Sequence, residues 1–108
     1  MIKVLFKKRS NNIISVKISG HANSVNEGYD MVCSAVSAVS LTIANGITEV
    51  VKVNPYLSIE DGFLSMDFMG LDYKDIEKCQ ILLETLFIGL KSIEMSYGDY
   101  INIEVEEV

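Results

Sequence analysis

The order of strand-like and helix-like segments predicts an α+β fold, with a mainly antiparallel five-stranded sheet and two helices in the order ββαββαβ. Three observations predict it. Two pairs of strand-like segments are each joined by a short turn, which is typical of β-hairpins. A helix-length segment with apolar residues at helical spacing follows each pair, and an alternating segment closes the chain. We expect residues 1–108 to form one domain.

The first hairpin is predicted over residues 2–19. The segment IKVLFKK (2–8) is rich in β-branched and aromatic residues, and IISVKIS (13–19) alternates between apolar and polar residues. Between them, RSNN (9–12) is composed of turn-forming residues. Residues 20–29 are polar and contain two glycines, which predicts a loop.

A helix is predicted from about Met31 to Val51. Its apolar residues recur every three or four positions, and this stripe consists of Val32, Val36, Val39, Ile43, Ile47 and Val50. Asp30 stands where an N-cap belongs. Gly46 is expected to bend or end the helix, because glycine weakens a helix interior.

The second half repeats this outline. Residues 55–60 and 63–69 are predicted strands, and Asp61-Gly62 between them is a strong two-residue hairpin signal. A second helix is predicted over about 73–97. Its core stripe is Ile76, Cys79, Leu83, Leu86, Leu90 and Ile93, widened by Leu82 and Phe87. Residues 100–108 alternate as the fifth strand.

Composition limits the classes of partner. The formal net charge is −6, which argues against nucleic acid and anionic membranes, because phosphate binding needs clustered Lys and Arg. The same charge favours a basic partner. No segment has signal-peptide character, and no apolar run approaches eighteen uninterrupted residues. We therefore expect a cytoplasmic protein whose two cysteines remain thiols.

The single histidine, His21, and one cysteine, Cys33, suggest a reactive site. If Asp30 caps the helix, Cys33 falls in the first turn, where the helix dipole favours a thiolate and unpaired N–H groups face outward. A loop of this length would allow His21 to reach the helix start, which is the minimal arrangement for Cys–His nucleophilic catalysis. Ser37 shares the face of Cys33. Small residues on this helix would allow close approach of a substrate, namely Ala35, Ser37, Ala38 and Ser40.

Simpler interpretations remain open on these residues alone. A cysteine early in a helix is often a small buried side chain, and a loop histidine is often only solvated. No metal or other cofactor is expected, because His21 and Cys33 supply two ligands, whereas zinc takes three or four. Glu27 and Asp30 lie nearby without ligand-pair spacing. Cys79, on the core stripe of the second helix, is interpreted as a packing residue.

Two segments of the chain resemble the ribosomal-processing cysteine proteases, the Prp family. One is Gly-His-Ala directly after a strand, and the other is GYDMVCSAVS at the opening of a helix. The matching positions are Gly20, His21, Ala22, Gly28, Asp30, Cys33, Ala35 and Ser37. The resemblance implies a cytoplasmic bacterial cysteine protease that forms a homodimer. It also implies removal of the N-terminal extension of protein twenty-seven of the large ribosomal subunit, after a pair of phenylalanines and before a small residue.

The resemblance also assigns roles to residues. It implies that Cys33 is the nucleophile and His21 the general base and acid, with Asp30 and Ser37 in supporting positions. The mobile loop of the family would be residues 20–29, including Gly20, Ala22, Asn23, Asn26 and Gly28. The basic start of a ribosomal protein suits the negative charge of this chain. The candidate dimer contacts are Leu41, Phe87 and Ile88.

Two other functions remain open at this stage. The chain could be a catalytically silent, ribosome-associated binding module that keeps the fold. It could also be a redox-sensing thiol protein, in which Cys33 would be oxidised reversibly without peptide cleavage.

Overall fold

The computed structural model describes the backbone of residues 1–20 and 27–108, and all side chains in these ranges except those of 27–30. The predicted fold class is confirmed, with a five-stranded sheet that carries its helices in the expected order. The elements are β1 (Ile2–Arg9), β2 (Asn12–Ser19), α1 (Glu27–Asn45), a π-helical turn (Gly46–Val51), β3 (Tyr56–Glu60), β4 (Phe63–Asp67), α2 (Tyr73–Lys78), α3 (Gln80–Tyr97) and β5 (Ile101–Glu107).

The sheet has the strand order β3-β4-β2-β1-β5. Its neighbours are antiparallel except for β1 and β5, which run parallel with Ile2 opposite Ile101. The parallel pair forms because α2 and α3 carry the chain from β4, on one side of the sheet, to the edge beyond β1. The predicted mainly antiparallel sheet is therefore confirmed, with one parallel pair.

Both predicted hairpin turns are present. Ser10 and Asn11 have φ angles of 51° and 69°, as a type I′ turn requires, and Gly62 has a φ of 74°. The register of β1 and β2 shifts between Lys7 and Lys8, which leaves Ile14 as an extra residue in β2. The main-chain carbonyl of Ile14 accepts a hydrogen bond from the N–H of Phe68, which binds β2 to the end of β4.

The core lies between one face of the sheet and the helices. Alternate residues of β1 are buried, namely Ile2, Val4 and Phe6, and they pack with side chains of α1 and α3. The rings of Phe6 and Phe87 meet edge to face, with their centroids 5.1 Å apart. Phe87 therefore belongs to the core, whereas Leu41 and Ile88, its fellow candidates for dimer contact, are exposed.

The start of α1 differs from the prediction. The helix begins at Glu27, so the predicted loop over residues 20–29 is wrong for its last three residues, and Asp30 is not the N-cap. Gly28 lies within the helix. The acidic residues Glu27 and Asp30 both suit the first turn, because negative charge is favourable near the N-terminus of a helix. A single glycine is too weak a breaker to prevent that turn.

The predicted change at Gly46 is confirmed. The α-helix ends at Asn45, and the chain continues as a π-helical turn over Gly46–Val51. The wider π turn moves the inward face by one residue: Val50, predicted in the core stripe, is 78% exposed, whereas Val51 packs against the core. Lys52 then adopts a left-handed conformation with a φ of 65°, which ends the helix.

By length and composition alone, Met31–Val51 would be long and apolar enough to cross a membrane. Core helices of water-soluble proteins satisfy the same criterion. In this fold Val32, Val36, Ile43 and Ile47 are buried in the core that α1 shares with the sheet and α3.

The second predicted helix is divided at Cys79 into α2 and α3. The side chain of Gln80 accepts a hydrogen bond from the N–H of Ile13 at 2.7 Å and donates one to the Ile13 carbonyl at 2.9 Å. This contact ties the start of α3 to β2 at the bulge. The predicted stripe is otherwise confirmed, with Cys79, Leu83, Leu86 and Leu90 fully buried.

Candidate active site

A cleft of about 210 Å³ opens between α1 and one end of the sheet. The helix side of the cleft is formed by residues at positions i, i+3, i+4, i+7 and i+8 of one helix face, which are Cys33, Val36, Ser37, Ser40 and Leu41. This spacing makes a row about 12 Å long at 1.5 Å per residue. The row is long enough to lie beside three or four residues of an extended peptide.

Cys33 is half-buried at one end of this row, and its side chain also packs against the core. It is the seventh residue of α1, not one of the first three. The unpaired N–H groups of a helix belong to its first four residues, and the dipole effect fades beyond the first turn. The interpretation of Cys33 as a first-turn thiol beside free N–H groups is therefore wrong.

The opposite side of the cleft is built from strand ends. Ile2 of β1, Ile18 of β2 and Leu64 of β4 form its apolar interior, and Ile59 and Phe63 flank the β3–β4 turn. These residues meet because β4 pairs with both β2 and β3, which brings Ile18, Leu64 and Ile59 into one row across the sheet.

Gly20 is closely packed where β2 ends beside the cleft. A Cβ atom at Gly20 would lie 2.9 Å from the Cα of Ile2, which is closer than real Cβ contacts come. Its N–H donates a hydrogen bond to the carbonyl of Gly62 at 3.0 Å. Glycine is required at this position for close approach of two backbones. Gly20 is therefore held between β1 and the β3–β4 turn.

The rim of the cleft is acidic. Glu60 and Asp61 line the cleft at the β3–β4 turn and are both exposed. Their carboxylates face solvent above an interior of aliphatic and aromatic side chains. The cleft therefore combines apolar surface with a negative rim, which suits a peptide that carries apolar and basic residues.

The structure brings together some of the predicted site residues. Cys33 and Ser37 line the same cleft one turn apart, and Ser40 lies one further turn along. His21, Ala22, Asn23 and Asn26 lie outside the described residues, and of Gly28 and Asp30 only the backbone is described. The Cys33–His21 pair therefore stays a prediction.

Several residues of the cleft were not singled out from the sequence as site residues. Leu41 follows the i+4 ladder from Cys33 and Ser37, so helical spacing would have found it. Ile59, Glu60 and Asp61 could not be found in this way. They reach the cleft through the pairing of β3 with β4, and no local pattern encodes which strands are neighbours.

The second cysteine lies in a different environment. Cys79 is fully buried at the junction of α2 and α3 and is not among the residues that line the cleft. Burial raises the pKa of the Cys79 thiol, the nearby Asp75 carboxylate raises it further, and Lys78 lowers it in part. A thiol kept protonated in the core is a poor nucleophile. Its prediction as a packing residue is confirmed.

No metal centre is evident in the described part of the chain. Within residues 1–20 and 27–108, no group of three or more His, Cys, Asp and Glu side chains is placed to hold a metal ion.

Comparison with known sequences identifies similar proteins along nearly the whole chain. The family model described as cysteine protease Prp matches residues 1–102. The ribosomal processing cysteine protease Prp of Bacillus subtilis is 30% identical over 100 residues, which cover 90% of this chain and 89% of that protein. The protein of the same name from Staphylococcus aureus strain Mu50 is 26% identical over 91 residues, covering 84% and 85% of the two chains.

Two crystal structures show how similar the fold is. SMU.848 from Streptococcus mutans superposes with a TM-score of 0.91 at 27% identity, covering 100% of this chain and 96% of that one. The ribosomal processing protease Prp from S. aureus, in complex with a covalently linked product peptide, superposes with a TM-score of 0.83 at 25% identity, covering 98% and 100%.

Proposed function

This chain belongs to the cysteine protease Prp family, and from that membership we propose that it is a ribosomal-processing endopeptidase. Its substrate is the basic N-terminal extension of protein twenty-seven of the large ribosomal subunit. Cleavage follows a pair of phenylalanines and precedes a small residue. The products are the trimmed ribosomal protein and the released extension peptide, and the reaction supports ribosome assembly.

The observation that carries this proposal is the placement of Cys33 in an open cleft. Of the two cysteines, Cys33 lines a peptide-sized cleft and Cys79 is sealed in the core. A relative with the same fold has been crystallised with a covalently linked product peptide, which supports covalent catalysis in the family. The cleft is the one place among the described residues where a thiol meets a surface that an extended peptide can enter.

The proposed mechanism is acyl transfer through Cys33. Its thiolate attacks the carbonyl carbon of the scissile peptide bond, and His21, which has taken the thiol proton, returns it to the leaving amine. The resulting thioester is then hydrolysed by water, with His21 as general base, which frees the thiol and the carboxylate of the first product. Ser37 supports this site by contacting the bound peptide one turn from Cys33.

In this proposal the acidic rim of the cleft assists the binding of the substrate. Glu60 and Asp61 attract the basic substrate into the cleft, in line with the net charge of −6.

The protein acts in the cytoplasm as a homodimer. Ile88, which is 64% exposed on α3, is the candidate contact between the two copies, whereas Leu41, the other exposed candidate, lines the cleft and is assigned to the bound peptide. Sedimentation of the pure protein tests this assembly, since a monomer at all concentrations contradicts it.

A cleavage assay tests the proposed reaction. A peptide with paired phenylalanines, a small residue and a following basic segment is incubated with the protein, and its products are identified by mass spectrometry. Cys33→Ala should abolish cleavage, and His21→Ala should lower turnover by a factor on the order of 10² or more. Cys79→Ala is the matched control and should retain activity, because its thiol is outside the cleft.

Other results would contradict the proposal in distinguishable ways. Full turnover by Cys33→Ala would remove Cys33 from the nucleophilic role. Cleavage of unrelated peptides but not of this one would leave the protease assignment intact and refute the ribosomal substrate. Reversible oxidation of Cys33 without any cleavage would favour the redox-sensing alternative.

A further inference from the structure

Ser40 has an unusual environment in the cleft. Its side chain is 1% exposed, and among the side chains that the structure describes it is the only buried polar residue. Its Oγ atom has no hydrogen-bond partner among the residues that the structure describes. Buried hydroxyl groups are nearly always hydrogen-bonded, so a buried hydroxyl without a partner calls for a physical explanation.

Other hydroxyl side chains in the helices show what Ser40 lacks. Thr42, Thr48, Thr85 and Ser92 each donate a hydrogen bond to the carbonyl four residues earlier, at distances between 2.6 and 3.2 Å. This is the usual arrangement for Ser and Thr within a helix. Ser40 lies in the same helix as Thr42 without such a bond. Its hydroxyl therefore remains available to a group that enters the cleft.

The walls around Ser40 restrict the nature of that group. Val36, Leu41, Ile59 and Phe63 make the cleft apolar along its length. The carboxylates of Glu60 and Asp61 at the rim disfavour a negatively charged visitor. Ser40 lines the cleft at its deep side and is almost fully covered, so its hydroxyl is within reach of the tip of an inserted side chain and not of a peptide backbone.

The distance from Cys33 sets where such a side chain lies in the substrate. Ser40 is seven residues beyond Cys33 on the same helix, which is about 10 Å along the helix axis. An extended peptide advances about 3.3 Å per residue, so the side chain belongs to a residue about three positions from the scissile bond.

We propose that Ser40 is a specificity-determining residue of this protease. It selects, about three positions from the cleaved bond, a substrate side chain that is apolar along its length and carries a neutral hydrogen-bonding group at its end, as tyrosine does. The proposal rests on the proposed role of Cys33 as the nucleophile, because Cys33 fixes the position of the scissile bond. Tyrosine fits both features of the cleft, since its ring packs on the apolar walls and its hydroxyl pairs with Ser40 Oγ.

The test compares tyrosine with phenylalanine. Two sets of peptides carry tyrosine or phenylalanine at each position within about four residues of the scissile bond. Both sets are titrated into the Cys33→Ala protein and into the double variant that also carries Ser40→Ala. At one position we expect tyrosine to bind about tenfold more tightly than phenylalanine, the effect of one neutral hydrogen bond in a buried site. Ser40→Ala should reduce that ratio to about one. Ser92→Ala, which removes an exposed helical hydroxyl elsewhere, should leave it unchanged.

A second measurement guards against a purely structural role. Without peptide, Ser40→Ala should raise the thermal midpoint or leave it unchanged, because it removes a buried hydroxyl that has no partner. A clear fall would mean that Oγ is satisfied within the protein, which contradicts the proposal. An equal tyrosine-to-phenylalanine ratio with and without Ser40 at every position would also overturn it. Binding is read on Cys33→Ala. Cleavage by that variant would refute Cys33 as the nucleophile and with it the predicted position of the tyrosine, whereas the tyrosine-to-phenylalanine ratio tests separately whether Ser40 contacts the peptide.

Discussion

The N–H of Gly20 donates a hydrogen bond to the carbonyl of Gly62 at 3.0 Å, which joins the end of β2 to the turn between β3 and β4. The two glycines serve different purposes. Gly62 permits the φ of 74° that the turn requires, and Gly20 permits close approach to Ile2. The bond between them holds the β3–β4 turn, which forms one wall of the cleft, against Gly20 at the end of β2.

Gly20→Ala should therefore damage both stability and activity. A Cβ atom 2.9 Å from the Cα of Ile2 forces the backbone of β1 or β2 to shift, and we expect a loss of about 1–3 kcal/mol in the free energy of unfolding. Gly89→Ala is the matched control. Its Cβ would meet Val39 at 3.6 Å, an ordinary contact, and should stabilise α3 by about 0.5–1 kcal/mol. Urea denaturation and cleavage rates check both variants, and equal stability of the two would contradict the close-packing argument.

Cys79 should make stability depend on alkaline pH. Burial, the largest cause, and the Asp75 carboxylate raise the pKa of its thiol. In the unfolded chain this thiol ionises near pH 8.5, so above that pH the unfolded state releases a proton that the folded state retains. The free energy of unfolding should therefore fall as the pH rises above about 8.5, and less steeply in Cys79→Ala. If the free energy of unfolding fell equally steeply with pH in the two proteins between about pH 8.5 and 10, ionisation of Cys79 would not contribute to the pH dependence of stability.

Glu94 should make stability depend on acidic pH in the opposite sense. Its carboxylate accepts hydrogen bonds from the Lys91 ammonium at 2.9 Å and from the N–H of Ile103 at 2.7 Å, and these bonds, that from Lys91 first, lower its pKa. The stabilising effect is present above the unfolded value of about 4.3 and is lost as the pH falls through the lower folded value.

Glu94→Gln should accordingly lower the free energy of unfolding at neutral pH and flatten its decline between about pH 5 and 3. Glu84→Gln is the control, since Glu84 pairs with Lys8 at 3.8 Å on the surface and should contribute little. Denaturant titrations across this range distinguish the two variants. The argument fails if the Glu84 variant loses as much stability as the Glu94 variant.

The sequence predicted most of the fold because the relevant signals are local. Alternation marked β2, β4 and β5, β-branched and aromatic residues marked β1, and turn residues marked both hairpins. The stripe Cys79, Leu83, Leu86 and Leu90 was correctly assigned to the core from helical spacing alone. The start of α1 was missed because Glu27, Gly28 and Asp30 are not apolar residues, so no apolar period marks its first turn. The break at Cys79 was missed because it accompanies a contact between Gln80 and Ile13, which are 67 residues apart.

The candidate site was predictable only on its helix side. Cys33 and Ser37 could be placed on one face from their spacing, and both line the cleft. The facing wall depends on the strand order, which puts the β3–β4 turn beside the end of β2. Glu60 thereby becomes part of the rim, although nothing around it in the sequence distinguishes it from the other acidic residues.

Glu60 should contribute to substrate capture through its charge. Glu60→Gln removes one negative charge from the rim while keeping the shape of the side chain, so we expect kcat/KM for a basic peptide to fall about two- to fivefold at low ionic strength. The difference from the parent protein should shrink as salt is added, because the screening length drops from about 30 Å at 0.01 M to about 8 Å at 0.15 M. Glu49→Gln makes the same charge change outside the cleft and should have a smaller effect. A fall that does not depend on salt, or an equal fall in both variants, would mean that Glu60 acts through packing or through net charge and not through its place at the rim.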